Sequence, residues 1–282
     1  MMVLPLLLLT GAFLGVGLPL ARWLAPQGVQ PLAFALWPTA VAGLVLTLIA
    51  VARQGPLFRG DLLRFGAIAG FAGYALPMTL AFWLSARAGS GHAAIAFTLP
   101  PLFTLAVNLV LGRESRRWVR IAAILIGLAG AVLLVGNSAS AAEGDLPAVL
   151  VVFLIPALIG AANVYRSIHL PRGVAPSALA ALTLLAASAM LAVVAVATGA
   201  ARVPISLPVL GGLAAQAAAL VAGYLFYFRL QKRADAVVFS FLGYVTMLTG
   251  VLSGLLLLGE SARWTLVPAM LLILWAIRLV AR

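Results

Sequence analysis

The chain contains no cysteine. That excludes a disulfide, a thiolate metal site and a cysteine nucleophile. Other reactive side chains are also scarce, with six Asp and Glu and two His in 282 residues. A zinc site needs three or more clustered His, Cys or acid ligands, so neither a metal nor another cofactor is expected. The string Gly250-Val251-Leu252-Ser253-Gly254 has the wrong spacing for a serine nucleophile, and no His lies in the last three apolar runs. The residues therefore point away from an enzyme.

Charge is the next shortage. Charged residues make up 9% of the chain and apolar residues 65%, against about 25% and 45–50% in soluble domains. So few charges cannot cover a water-soluble fold of this size. Soluble dehydrogenases, kinases, nucleases and disordered chains are excluded. What fills the sequence instead is long, unbroken Leu/Ala/Val runs. A membrane β-barrel would show alternating stretches of about ten residues, so the expected class is an all-α integral membrane protein.

A membrane helix takes about 20 apolar residues. The polar and Pro/Gly breaks separate ten runs, at roughly 4–22, 31–52, 62–85, 92–112, 118–136, 147–167, 175–199, 207–229, 236–258 and 264–281. The first lacks a basic flank and runs long for a cleaved signal peptide. The net charge of +12 rests on 17 Arg and one Lys, Lys232. In a membrane chain this excess implies orientation rather than a nucleic-acid partner. With the N-terminus inside, fourteen basic residues fall in cytoplasmic segments, Arg166 among them. Four fall outside: Arg22, Arg87, Arg202 and Arg263. Both termini are thus expected in the cytoplasm of a multi-pass protein. The Arg and Ala bias hints at a GC-rich bacterial genome, hence the bacterial inner membrane.

The chain also repeats itself. A shift of 146 residues aligns Glu114-Ser115-Arg116-Arg117-Trp118 with Glu260-Ser261-Ala262-Arg263-Trp264, and Leu84, Arg87 and Ala88 with Leu230, Arg233 and Ala234. Each half, 1–136 and 147–282, then holds five runs, joined by an extracytoplasmic linker at 137–146. Five is odd, so the second half enters the membrane inverted. Inverted repeats are typical of secondary transporters that alternate access around a central site.

The strings Leu111-Gly112-Arg113-Glu114 and Leu258-Gly259-Glu260, each closing the fourth run of its half, together with Pro100-Pro101, resemble the drug/metabolite transporter superfamily, EamA type. The first string carries one inserted residue, Arg113. In overall character the chain resembles the YddG-type aromatic amino acid exporters within that superfamily. The resemblance implies ten transmembrane helices and a small-molecule solute.

The candidate solute-binding residues are the polar and aromatic side chains placed near mid-depth. They are Trp37 in the second run, Tyr74 and Met78 in the third, and Phe97, Pro100 and Pro101 in the fourth. Asn163 follows in the sixth, Gln216 and Tyr224 in the eighth, and Ser240 and Tyr244 in the ninth. Tyr74, Pro77, Met78 and Ala81 share one helical face, as do Gln216, Leu220, Gly223 and Tyr224. Such stripes suit an amphipathic solute, and ordinary helix packing is the alternative. Tyr165 and Tyr227, near run ends, fit the interfacial aromatic belt better. Pro100-Pro101 is expected to free carbonyls at mid-span, as a cavity wall or hinge. His92 is the candidate proton site.

No acid lies inside a run, which disfavours a carboxylate proton relay. The runs are almost bare of Lys and Arg, so the expected cargo is a neutral amino acid, aromatic or bulky, moved outward. The alternatives are a nucleotide-sugar, organophosphate or drug transporter of the same fold, or a lipid-embedded structural or assembly protein. Gly11/Gly15, Gly66/Gly70 and Gly250/Gly254 are spaced for close helix packing, in a monomer or weak homodimer within the bilayer.

Overall fold

The computed structural model describes residues 3–54, 60–88, 96–114, 117–135, 146–258 and 265–280, and these residues are helical without a strand. The first half contains α1 (Val3–Gly15), α2 (Gly17–Leu24), α3 (Pro31–Gln54), α4 (Gly60–Gly70), α5 (Leu76–Ala88), α6 (Pro100–Val110) and α7 (Arg117–Val135). The second contains α8 (Leu146–His169), α9 (Pro176–Ala197), α10 (Leu207–Gln231), α11 (Ala236–Ser240), α12 (Leu242–Leu258) and α13 (Leu266–Val280). Among the described residues, six stretches are long and apolar enough to cross a membrane: Val3–Gln27, Pro31–Arg53, α8, α9, α10 and Ala236–Leu258. Pro100–Val110, Trp118–Leu133 and α13 are shorter apolar helices. The linker at 137–145, His92 and the 259–264 half of the sequence repeat lie outside the described residues.

The outer surface remains apolar. Leu48, Val193, Val196 and Leu256 are each more than 70% exposed, an arrangement that hydrocarbon tolerates and water does not.

Proline chemistry explains two of the helix breaks. Pro19 has no N–H for the carbonyl of Gly15, and the chain breaks at Val16 between α1 and α2. Pro77 likewise has no N–H for Gly73. The helix widens there into a π-turn, Phe71–Ala75, where the Leu76 N–H reaches back to the Phe71 carbonyl. Pro100 and Pro101 behave differently from the expected mid-span kink. They open α6 at its first turn, where a missing N–H costs nothing.

Packing follows small residues. α3 lies along α9, and α7 along α13. α1 packs on α10 and α12, while α8 packs on α6 and on the α4–α5 segment. The glycine pairs serve these contacts within the chain: a Cβ at Gly70 would lie 2.5 Å from the Thr183 carbonyl oxygen, and one at Gly15 2.5 Å from that of Thr246. The connections sort to two ends. At one, Trp37 donates to the Ala201 carbonyl at 2.8 Å. At the other, Arg120 joins Glu114 and Asp235, and Lys232 donates to the Val174 carbonyl.

Candidate functional site

The site is built around Arg166. It lies three residues before the end of α8, a position that places it among loop cations by sequence alone. The structure differs: Arg166 is 2% exposed, and it is the one basic residue in the buried set of described residues. The reason is the direction of helical side chains. A Cα–Cβ bond tilts toward the helix N-terminus, so a long side chain near the C-terminus of α8 reaches back along the helix into the bundle. Its Nη2 donates to Asn163 Oδ1 at 2.6 Å, one turn earlier. Asn163 in turn donates to Thr104 Oγ1 of α6 at 3.2 Å.

Aromatic rings surround this cation. The guanidinium carbon lies 5.4 Å from the centroid of Tyr227 and 5.8 Å from that of Phe239. Such contacts give roughly 0.5–2 kcal/mol each. Tyr227 stacks on Tyr224 with centroids 4.9 Å apart, and Phe239 meets Tyr227 edge-on at 4.6 Å. Tyr224 meets Tyr74 edge-on at 6.3 Å, and the Tyr74 hydroxyl pairs with Thr39 at 3.1 Å. The π-turn closes the remaining side. A Cβ at Gly73 would sit 2.1 Å from Arg166 Nη1, so only glycine leaves room for the guanidinium there. Proline chemistry at position 77 and space for a cation at position 73 thus meet in one turn of helix.

Among the described residues, Arg166 Nε has no hydrogen-bond partner. Burying a charge costs several kcal/mol unless it is paired, and here Asn163 and two rings meet only part of that need. Beside Tyr165, the residue before Arg166, lies a separate cavity of about 360 Å³ lined by Asp61, Arg64, Phe65, Tyr165, His169 and Pro171. Phe65 links the two: it stacks on Tyr165 at 6.0 Å and meets Phe228 at a tilt at 6.2 Å, and Phe228 in turn meets Tyr227 edge-on at 5.2 Å.

The sequence candidates divide accordingly. Tyr74, Asn163 and Tyr224 come together at Arg166. Gln216 is buried elsewhere, against the α1–α2 break: a Cβ at Gly17 would lie 2.8 Å from its Nε2, and its Oε1 has no partner among the described residues. Trp37 is 43% exposed and anchored to the Ala201 carbonyl. Phe97 packs with Ala81, Leu84, Ala148 and Ile155. Pro100 and Pro101 are buried at the start of α6, and Met78 is half-buried. Tyr244 is fully buried against α7, where a Cβ at Gly127 would lie 2.5 Å from its ring. Ser240 donates to its own helix at Val237.

Four participants escaped the sequence reading: Arg166, Tyr227, Phe239 and Gly73. Tyr227 fits the interfacial belt by position, yet it is buried at 8% exposure. The missed signal was Asn163 and Arg166 at i and i+3, two polar groups on one face of an apolar helix.

Fold and site together define a membrane-embedded helical bundle with a buried cationic and aromatic centre. Residues 1–136 match the EamA-like transporter family. That match supports a multi-pass membrane transporter of small solutes. A solved crystal structure superposes with a TM-score of 0.78 at 20% identity, covering 97% of this chain and 98% of that chain. At that identity the likeness is one of fold. No curated protein matches the sequence.

Proposed function

We propose that the protein is a secondary transporter exporting neutral amino acids, aromatic or bulky ones foremost, by alternating access of two inverted five-helix halves. The observation that carries this reading is the ring cluster of Tyr74, Tyr224, Tyr227 and Phe239 about one buried polar centre. Aromatic walls with few, placed polar groups suit a small amphipathic solute. The resemblance to YddG-type exporters points the same way.

The packing supports inverted halves. Exchanging the halves maps the α1–α12 pair onto α8–α6, and α9–α4 onto α3–α10, while α3–α9 and α7–α13 map onto themselves. Gly243 is the position that the 146-residue shift pairs with Phe97. A Cβ there would lie 3.1 Å from the Phe97 carbonyl oxygen, as expected of counterparts meeting at a two-fold axis.

The test is counterflow in proteoliposomes with Phe, Trp, Met, Glu and a sugar phosphate. Phe, Trp and Met are expected to exchange and to compete with one another. Stronger competition by the sugar phosphate favours the organophosphate reading, which the buried Arg166 brings back into contention. Absence of flux with every solute favours a structural role.

A further inference from the structure

We propose that Arg166 recognises the solute by its carboxylate, so that a negative group beside an aromatic or bulky apolar part is the feature this transporter requires. The inference rests on the transport reading and names the chemistry of its site. Four observations carry it. The guanidinium is nine-tenths buried or better, its Nε–H has no partner among the described residues, the Asn163, Tyr227 and Phe239 side chains about it are neutral, and of the acids at its end of the bundle Glu114 and Asp235 are engaged elsewhere while Asp61 lines the neighbouring cavity. Glu114 and Asp235 both accept from Arg120, and Asp235 also caps α11 through the N–H groups of Val237 and Val238.

A charge held in a membrane bundle with no counter-ion among the described residues calls for a ligand of opposite sign. Guanidinium offers a planar fork suited to a carboxylate. The rings of Tyr224 and Tyr227 lie close enough to receive the apolar part of the same molecule. One cation balances one carboxylate, whereas a phosphate dianion leaves a charge over. An amino acid therefore enters as a carboxylate with an apolar tail, and its ammonium group is secondary.

Three solutes of matched size separate the groups: phenylalanine, 3-phenylpropionate without the amine, and phenethylamine without the carboxylate. Phenyl phosphate is the fourth arm. Binding is read as the ligand-dependent shift in melting temperature of the purified full-length protein, alongside competition for phenylalanine flux in proteoliposomes. Phenylalanine and 3-phenylpropionate are expected to stabilise and compete, and phenethylamine to do neither. A charge-assisted hydrogen bond gives roughly 1.5–3 kcal/mol, so Arg166→Gln is expected to weaken both carboxylates by about tenfold or more. Arg166→Lys should fall between.

Equal action by phenethylamine in the wild-type protein overturns the inference, and that arm needs no variant to fold. So does tighter binding of phenyl phosphate than of 3-phenylpropionate, or unchanged carboxylate selectivity in Arg166→Gln. A melting shift by 3-phenylpropionate that Arg166→Gln abolishes, with no flux of any solute, supports the site and defeats the transport reading instead.

Discussion

Arg120 of α7 donates to the Asp235 carboxylate at 2.7 Å, joining positions 115 residues apart. The same guanidinium donates to Glu114 at 2.6 Å, and the two acids are not equivalent: the Glu114 side chain is 1% exposed and that of Asp235 47%. An exposed pair contributes about 0–1 kcal/mol, whereas removing the cation beside a buried acid costs about 1–3 kcal/mol or more. Arg120→Ala is therefore expected to lower the melting temperature clearly, and Asp235→Asn only slightly. Asn also keeps the helix cap, so Asp235→Ala should melt below Asp235→Asn by a margin near 1 kcal/mol. Scans of the three variants in detergent check the order.

Gly73 faces the guanidinium of Arg166, and the clashing atom is the far end of a flexible side chain. Gly73→Ala should fold with little loss of stability while pushing the cation off its seat. The expected signature is a raised KM for the favoured solute at a nearly unchanged melting temperature. A lowered melting temperature with normal KM would mean that Gly73 serves packing alone.

Gly70 makes the opposite case. A Cβ there would meet backbone, the Thr183 carbonyl oxygen at 2.5 Å and the Ala187 nitrogen at 3.0 Å. Backbone of α9 cannot swing aside, so Gly70→Ala must spread α4 from α9. Overpacking of this kind costs about 1–3 kcal/mol. Thermal unfolding of Gly70→Ala beside Gly73→Ala, one turn apart on the same segment, compares the two roles directly.

Two of the aromatic residues singled out by sequence now separate. Trp37 makes one hydrogen bond at an exposed edge, to Ala201. Tyr224 is buried between Tyr74 and Tyr227. Trp37→Phe should leave solute competition intact, while Tyr224→Ala should weaken it several-fold, each aromatic contact giving about 0.5–1.5 kcal/mol. Equal effects in flux assays would remove the ring cluster from the solute path.

The apolar runs and their breaks were legible because lipid forces every backbone polar group into helical hydrogen bonds, leaving little freedom between breaks. The period of 3.6 puts Tyr74, Pro77, Met78 and Ala81 on one face, but the π-turn at Phe71–Ala75, which contains Tyr74, is not legible from that period. Nor is Arg166. Its position three residues from a helix end suits a loop cation, and only the backward tilt of its side chain carries the charge inside. Pro100-Pro101 misled for a related reason: a proline pair kinks a helix that continues through it, but these residues begin one. Tyr244 has the composition of a cavity residue, and Gly127 on a distant helix turns it into packing.

The last prediction concerns sidedness. Gly28 and Ala201 belong to one end of the bundle, since a Cβ at Gly28 would lie 3.2 Å from Pro204 while Trp37 holds the Ala201 carbonyl. Val174, Lys232, Arg120 and Asp235 belong to the other. By the arginine distribution the second end is expected in the cytoplasm. Because the chain has no cysteine, single replacements report without background. Gln30→Cys and Arg202→Cys should react with an impermeant maleimide added to intact cells. Arg113→Cys and Arg172→Cys should react only after permeabilisation. Five helical passages separate Gln30 from Arg172 in the inverted-repeat reading, so those two must answer from opposite faces. If both label from the same face, the number of passages between them is even, and the two halves cannot be inverted copies of five helices each.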